Sequence, residues 1–421
     1  VFFMSSQGST DFKVSSRREF LSISQSTLAA CAATILATSN SSAAHAAGSL
    51  KINSLLQGKG IDAMQQQDAA ASAMRGDVSL VSSEAGNPRD VFLRTSFVYA
   101  AVPPSELREA SVDPVLRLFS NQPRVLFLGG HRELFVDHLL QANLIREMVL
   151  RQVSGRKVVV ALDLIEERFQ PVLDRFVREE MSEVELIEAL GWRSSGLIAP
   201  QYDAYLPVVL MCRELGVPLI AVAPNNDTVT TLRKYGLAAL SVDQRRKILP
   251  DPESLLETVT DPRFDMYISS LMSPRYSALG KQFNSLYPND SILQSILDEG
   301  TSASIVQYAR EHSNDAQIVV CSGLEKTKFG LGLPGRTSRL LKAGPRQVLN
   351  VLLNPTTMDS GRDLDSGGLR LELGTDIESQ SLTNARMQSK LLLADYLWYS
   401  SNAPSSVRER ANRWKKEAKR S

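Results

Sequence analysis

The chain of 421 residues is long enough for two or three average domains, or for one large domain with extensions. Lys and Arg together number 47, against 46 for Asp and Glu, so no global charge argues for a nucleic-acid or acidic-membrane partner. The hydrophobic fraction of 43% suits a globular protein. No run of about 18 apolar residues is present, which argues against a membrane-spanning helix.

The first 47 residues have the order of a twin-arginine export signal. Arg17 and Arg18 precede a weakly apolar stretch at 28–36, and Ala44 and Ala46 then form a small-x-small cleavage site before residue 47. This order predicts export to the thylakoid lumen of a chloroplast or, as the alternative, to a bacterial periplasm. The competing interpretation is a Ser- and Ala-rich leader whose two arginines carry no signal.

Residues 48–120 mix short helical and extended patterns, with a Pro103-Pro104 break. They are predicted to form an N-terminal adaptor on a main domain at 121–400. Cys212 and Cys321 lie in apolar segments of that domain and are predicted to be small buried hydrophobic residues, with a disulfide in an oxidising compartment as the alternative.

Unbroken apolar runs alternate with helical periodicity from residue 124 onward. Unbroken rather than alternating hydrophobicity indicates strands that are buried on both faces of a parallel sheet. The predicted fold is therefore α/β, with a doubly wound, mostly parallel sheet. The predicted strands are 124–128, 156–164, 217–224, 316–323, 347–354, 369–373 and 391–399. The predicted helices are 133–151, 170–180, 182–190, 202–215, 228–235 and 336–342, with a helical insertion at 262–311 and a basic C-terminal helix within 401–421.

The candidate site lies at the end of the first predicted strand. In open parallel sheets, functional groups gather just beyond the carboxyl ends of the strands. The sequence places His131, Glu133 and His138 there. Asp163 ends the second predicted strand and could meet them as an acid/base pair or a metal ligand. The alternative is that Asp163 caps the following helix, and both interpretations stay open.

Tyr202 and Tyr205 are three residues apart and share one face of a predicted helix. They could form a wall for a flat apolar ligand, and a Tyr oxygen can also bind iron. Core packing is the alternative. The patterns of phosphate-binding loops, serine nucleophile elbows and zinc peptidases are absent from the sequence, so those chemistries have no support.

Several motifs of this sequence resemble those of the ChaN-like haem-binding uptake proteins of the Tiki/TraB superfamily, and the motifs occur in the same order along the chain. The plastid-type members of that family are the most similar. The motifs cover roughly half of the chain. The resemblance implies an α/β domain with its site at the strand ends, and it implies binding of haem or a related tetrapyrrole. The matching residues are Leu128-Gly129, Asp137-His138 with Gln141, Ala161 to Asp163, Phe169 to Asp174, Gly191-Trp192, Tyr205 with Pro207, Gly216 to Ala221, Gly330 to Pro334, and Ala394 to Trp398.

This chain departs from the hydrolytic relatives in that superfamily, which rely on Gly-Glu-x-His and a later Gly-x-x-His. Gly130 stands in place of the Glu, Arg132 in place of the first His, and Lys326 in place of the later His. His131 and Glu133 are displaced by one position, which on an extended backbone turns a side chain to the opposite side. Without the acid and the imidazoles there is no activated water or metal. The resemblance thus favours a ligand-binding protein over an enzyme, and no catalytic residue is assigned.

Three functions remain as hypotheses. The first is an exported protein that binds haem, another tetrapyrrole or a similar flat apolar ligand, without nucleic acid. The second is a structural or assembly factor of the thylakoid lumen that contacts proteins or the membrane periphery through its extensions. The third is a residual metal-dependent hydrolase that uses Asp163, Glu133 and His131. Neither the oligomeric state nor a bound metal follows from the sequence. The residues predicted to contact the ligand are His131, Glu133, His138, Asp163, Tyr202, Tyr205 and Lys326.

Overall fold

The computed structural model describes residues 88–102, 106–153, 155–192, 204–261, 263–264, 267, 291–312, 315–344, 346–357, 359–360, 369–373 and 391–400. The predicted leader, much of the predicted insertion, the basic C-terminal helix and Tyr202 lie outside the described residues. The chain divides into a unit of 1–86 with 231–241 and a unit of 87–230 with 242–421. The sheet and the candidate site belong to the second unit. Within the described ranges, no helix combines the length and hydrophobicity that a membrane span requires.

Helices and strands alternate through the central part of the chain. The strands are β1 (Ser96–Val102), β2 (Glu106–Ala110), β3 (Val125–Gly130), β4 (Lys157–Glu166), β5 (Leu219–Ala223), β6 (Ala316–Gly323), β7 (Val348–Leu353), β8 (Glu372–Leu373), β9 (Leu391–Leu392) and β10 (Tyr396–Ser400). The helices are α1 (Pro88–Thr95), α2 (Val112–Asn121), α3 (Phe135–Arg151), α4 (Gln170–Val177), α5 (Glu183–Ala189), α6 (Leu206–Glu214), α7 (Asn226–Tyr235), α8 (Val242–Ile248), α9 (Pro252–Val259), α10 (Ser291–Glu311), α11 (Leu324–Thr327) and α12 (Leu333–Leu341).

Eight of these strands form one sheet in the order β2-β1-β10-β7-β3-β6-β4-β5. The pairs β10-β7, β7-β3, β3-β6, β6-β4 and β4-β5 are parallel, whereas β1 pairs antiparallel with both β2 and β10. The prediction of an α/β fold with a mostly parallel sheet is confirmed. Strands β8 and β9 form a separate two-stranded antiparallel sheet.

The central strands are apolar throughout because alternate residues enter two different cores. In β3, Leu126 and Leu128 join the core formed with α3 and α6, while Val125 and Phe127 join the core formed with α10 and α12. All six residues of β3 are buried. Helices therefore cover both faces of this sheet, as the unbroken hydrophobicity predicted.

The predicted strand at 391–399 is wrong as a single element. It is two strands, β9 and β10, which belong to different sheets. The backbone changes course between them because Leu393 N donates to Leu371 O, whereas Asp395 N donates to Asn350 O. The carboxylate of Asp395 also accepts a 2.7 Å bond from Asn350 N. The nearby prediction of an exposed strand at 369–373 is likewise wrong in its exposure, since Leu369 and Leu373 are buried.

The described part of the predicted adaptor, residues 88–102 and 106–120, contributes β1 and β2 to the main sheet. Trp398 of β10 holds this part in place, since its ring stacks on Phe92 at 6.3 Å and lies 6.1 Å from Phe119. The indole nitrogen of Trp398 also donates to Ser96 Oγ at 3.1 Å. The domain boundary at residue 120 stays a prediction.

Candidate functional site

The carboxyl ends of β3, β4 and β6 meet at one edge of the sheet, and glycines shape that edge. A Cβ at Gly129 would collide with the hydroxyl of Thr327, and one at Gly323 would collide with the carboxylate of Glu325. These glycines let α11, which follows β6 directly, pack against the end of β3. Side chains from three strand ends are thereby brought together.

Arg132 is the centre of a buried group of charges, named here the Arg132 cluster: Arg132, Asp163, Asp298, Glu325 and Lys326. The guanidinium donates through Nη1 and Nη2 to both oxygens of Asp163, at 3.3 and 2.9 Å, and through Nε to Glu325 Oε1 at 2.6 Å. The ammonium of Lys326 lies 3.6 Å from Asp163 Oδ2 and 3.5 Å from Asp298 Oδ1. Arg132 and Lys326 thus share one carboxylate, that of Asp163.

Asp163 is ionised despite complete burial. Burial, the largest single effect, would raise the pKa of this carboxyl, but Arg132, Lys326 and a 2.6 Å bond from Ser322 Oγ together lower it to about 2. The pKa of Asp298 is raised, because burial outweighs its attraction to Lys326. Asp163 is therefore the fixed anion of the cluster.

Tyr205 and His138 form a second feature, beside the cluster. Tyr205 is the N-cap residue of α6, with Pro207 in the first turn, so the start of the helix fixes its position. Its ring centroid lies 3.9 Å from that of His138. Tyr205 is 1% exposed, and its hydroxyl has no hydrogen-bond partner among the described residues. Burial, together with the charge of Asp163, raises the pKa of this phenol well above its ordinary value.

His138 is a neutral imidazole held by the protein. Burial lowers its pKa. Nδ1 lies 2.8 Å from Gln141 Oε1, and Nε2 lies 3.1 Å from the backbone oxygen of Arg132. Gln141 in turn donates to Leu128 O at 2.8 Å, so α3 is pinned to β3. A neutral imidazole donates through one nitrogen only, so one of these two contacts is the hydrogen bond and the other nitrogen also lies beside a protein oxygen. Since both nitrogens are enclosed by protein oxygens, His138 is placed to position Tyr205 rather than to bind iron.

His131 belongs to a different group from Asp163. Its Nδ1 lies 2.6 Å from Asp137 Oδ2, and its Nε2 lies 3.1 Å from Asp359 Oδ2. Burial is the largest single effect and lowers the pKa of His131, but bonds and charges from the two carboxylates raise it to about 10. His131 is therefore an imidazolium between two carboxylates. Asn354 adds a 2.6 Å bond to the other oxygen of Asp137.

The structure thus brings together only some of the predicted site residues. Asp163 and Lys326 meet in the Arg132 cluster, and His138 contacts Tyr205. His131 lies in the other group, and the side chain of Glu133 is exposed. The three residues of the hydrolase hypothesis do not form one group. Within the described residues, no set of three His, Cys, Asp or Glu side chains could hold a metal ion.

Sequence reasoning missed three acidic members of these groups, Asp298, Glu325 and Asp359, and it noted Asp137 beside His138 without assigning it to the site. Glu325 and Asp359 follow the carboxyl ends of β6 and β7, so the rule that singled out Asp163 would have found both. Asp298 is in the middle of α10, where no local pattern distinguishes it from a solvated helix residue. Its role follows from the packing of that helix alone.

The fold and site define an α/β protein with a charged cluster and a buried phenol at its strand ends. Residues 120–337, more than half of the chain, match the family model described as haem-binding uptake, Tiki superfamily, ChaN. The chain belongs to this ChaN family of haem-binding uptake proteins.

Other known proteins are similar over part of the chain. Protein RETICULATA-RELATED 5, chloroplastic, from Arabidopsis thaliana is 25% identical over 297 residues, which are 67% of this chain and 35% of that protein. This chain thus spans about a third of the relative's length. ChaN of Campylobacter jejuni, solved with cofacial haem, has a TM-score of 0.45 at 13% identity, over 72% of this chain and 96% of its own. A mutant of the erythromycin esterase EreC in its open conformation has a TM-score of 0.34 at 14% identity, over 62% and 76%.

Proposed function

We propose that this protein is a non-catalytic ChaN-family member of plastids that binds haem or a related tetrapyrrole. The observation that carries the proposal is the Tyr205 hydroxyl, which is buried beside His138 without a partner among the described residues. A buried polar group without a hydrogen bond costs about 1–3 kcal/mol, and such a group in a native protein calls for an explanation. A ligand that coordinates this oxygen is that explanation.

The donor chemistry of the site fits haem. When bound, haem would supply a ferric iron, and a tyrosine oxygen is among the protein ligands that haem iron takes. Tyr205 would hold the iron, while His138 positions the phenol through ring contact. Arg132 and Asp163 are beside it, and their charges act on the Tyr205 hydroxyl.

The non-catalytic part of the proposal rests on the Arg132 cluster. A hydrolase of this superfamily needs free imidazoles and an acid at the strand ends. Here those positions hold Arg132 and Lys326, both ion-paired with Asp163. The nitrogens of His131 are bonded to Asp137 and Asp359. None of these groups is placed to activate a water molecule.

The plastid location is proposed from the name of the Arabidopsis relative and from the twin-arginine pattern of the sequence. The thylakoid lumen is the compartment that satisfies both. Because the relative is about three times as long as the matched region, its own activity is not transferred to this chain.

Titration with haemin tests the proposal. The purified protein is expected to give a saturable Soret shift at micromolar haemin, and Tyr205→Phe is expected to weaken binding about tenfold or more through loss of the phenol oxygen. Tyr308→Phe is the matched control, because Tyr308 is a half-buried tyrosine of α10 that contacts His312. Wild-type protein without a Soret shift at that concentration would contradict the proposal.

That negative result would favour the second function, a structural or assembly factor of the lumen. The observation in its favour is that each member of the Arg132 cluster already has an oppositely charged partner, as in a site that needs no ligand.

A further inference from the structure

We propose that Arg132 binds a carboxylate of the ligand, and that Glu325 is a resident carboxylate that occupies this position until the ligand displaces it. This inference rests on the proposed function, because tetrapyrroles with propionate side chains carry free carboxylates. It assigns to this site a ligand class, which is tetrapyrroles with at least one unesterified acid group.

The two carboxylates on Arg132 are held very differently. Asp163 receives two bonds from the guanidinium, one from Ser322 Oγ and an ion pair from Lys326, and its side chain is fully buried. Glu325 receives a single bond from Arg132 Nε. Asp163 is therefore the permanent partner, and Glu325 is the weaker one.

Glu325 is also the partner that can leave. Its side chain is 20% exposed, so its carboxylate can move into solvent without crossing the core. Its second oxygen, Oε2, is buried and has no hydrogen-bond partner among the described residues. This oxygen is incompletely solvated where it stands, which lowers the cost of moving it out. The structure thus holds Glu325 in place through one oxygen only.

The space that Glu325 fills is defined by backbone. Its carboxylate and Arg132 Nε both lie against Gly323, where a Cβ would collide with each of them. Glycine at this strand end leaves room for a carboxylate on the exposed side of the guanidinium. A departing Glu325 vacates a position with the size and charge of another carboxylate.

Exchange of one carboxylate for another keeps the charge balance of the cluster. Arg132 stays paired with Asp163 throughout, so no buried cation is left alone. The ligand gains a charge-assisted hydrogen bond, which is stronger than one between neutral groups. Glu325 opposes the binding of an acidic ligand by competing for the same donor, whereas a ligand without a free acid does not use Arg132 and leaves Glu325 in place.

Removal of the charge of Glu325 tests this competition. Glu325→Gln is nearly isosteric at a partly exposed position, so the fold is expected to persist, which an unchanged urea midpoint would verify. The variant is expected to bind haemin about tenfold more tightly than wild type, because a neutral amide competes less well for Arg132. Its affinity for haemin dimethyl ester, which has no free acid, is expected to equal that of wild type.

Glu214→Gln is the matched control. It makes the same charge change at the exposed end of α6, and neither affinity is expected to change. If Glu325→Gln alters the binding of acid and diester equally, or alters neither, the inference is wrong while the proposed function stands. If wild type and variants bind neither compound, the inference and the proposed function are both wrong.

Discussion

His131 is the residue whose structural role is most clearly tied to its charge. The imidazolium bridges Asp137, in the first turn of α3, and Asp359, beyond the end of β7. Asp359 is further fixed by 2.6 Å bonds from the backbone N–H and the hydroxyl of Thr356, and its pKa is lowered to about 2. His131 therefore fastens the segment after β7 to the end of β3.

This role predicts a pH dependence of stability. The pKa of His131 rises from 6.5 to about 10 on folding, so the folded state holds the proton more tightly. The stabilisation of the folded state by protonated His131 is complete below pH 6.5 and is lost as the pH rises toward 10. Lys328 acts in the opposite direction above about pH 8, because burial lowers its pKa from 10.5 to about 8. Between pH 6.5 and about pH 8, the change of folding stability with pH therefore depends on the protonation of His131 and is not affected by Lys328.

Within that pH range, the free energy of unfolding of the wild type is expected to fall by up to about 1.4 kcal/mol per pH unit. His131→Gln is expected to be less stable and to lose this slope, as measured by urea denaturation at several pH values. His312→Gln, at the exposed end of a helix, should retain it. A variant at His131 with the wild-type slope would refute the assignment.

Single residues of the site were predictable only where a strand end marked them. Asp163, His138 and Tyr205 were found by their positions at strand ends or on a helix face. Glu325, which bonds to Arg132, follows a strand end and could have been found by the same rule. Asp298 could not, because it reaches Lys326 only through the tertiary packing of α10. The separation of His131 from Asp163 depends on the turn after Gly130, which periodicity does not describe.

Gln170 shows how a single side chain can complete an element. It opens α4, and its amide donates to Leu219 O and accepts from Ala221 N, both at 2.8 Å. These two backbone groups are on the free edge of β5, the last strand of the sheet. Gln170 thus pairs with the edge as a neighbouring strand would, and it leaves less unpaired backbone for another chain to join.

Gln170→Leu is expected to lower the free energy of unfolding by about 2–4 kcal/mol, because it leaves a donor and an acceptor of β5 unpaired. Chemical denaturation measures this loss. Gln307→Leu is the control: among the described residues, the side chain of Gln307 bonds to Glu311 on the exposed surface of α10, where a change of a few tenths of a kcal/mol is expected. Equal effects at the two positions would show that Gln170 does not protect the edge.

Elements were predicted well where burial on both faces produced a long apolar run. The strand at 316–323 was predicted with the bounds that β6 has. The segment at 391–399 was not, because its apolar residues serve two sheets, and the hydrogen bonds of Leu393 and Asp395 that separate them connect to distant residues. A local run of apolar residues predicts that a segment is buried, but it does not predict which strand the segment pairs with.

The whole sheet depends on the place of β10. This strand lies between β1 and β7, so the antiparallel pair β1-β2 reaches the parallel strands only through β10. Trp398 reinforces that connection, since its fully buried ring contacts Phe92 of α1 and Phe119 of α2. The segment that precedes β3, with α1, β1, β2 and α2, is therefore held in place by β10, the described strand that is farthest from it in sequence.

Trp398→Ala is expected to cost about 3–5 kcal/mol and to loosen this part of the molecule first. Limited proteolysis should cut the variant within 88–110 before it cuts β3 to β7, whereas the wild type should resist cleavage in both regions. Tyr235→Ala, at a 71% exposed side chain, is the control and should behave as wild type. Simultaneous cleavage throughout the variant would argue that β10 supports the whole fold equally.

The place of β10 also constrains biosynthesis. During translation, residues 96–110 emerge before residues 396–400 and must wait for them before they can join the parallel strands. Until then, β1 and the open side of β7 both present unsatisfied backbone. These two edges are therefore the ones that need protection from pairing with other chains for the longest time.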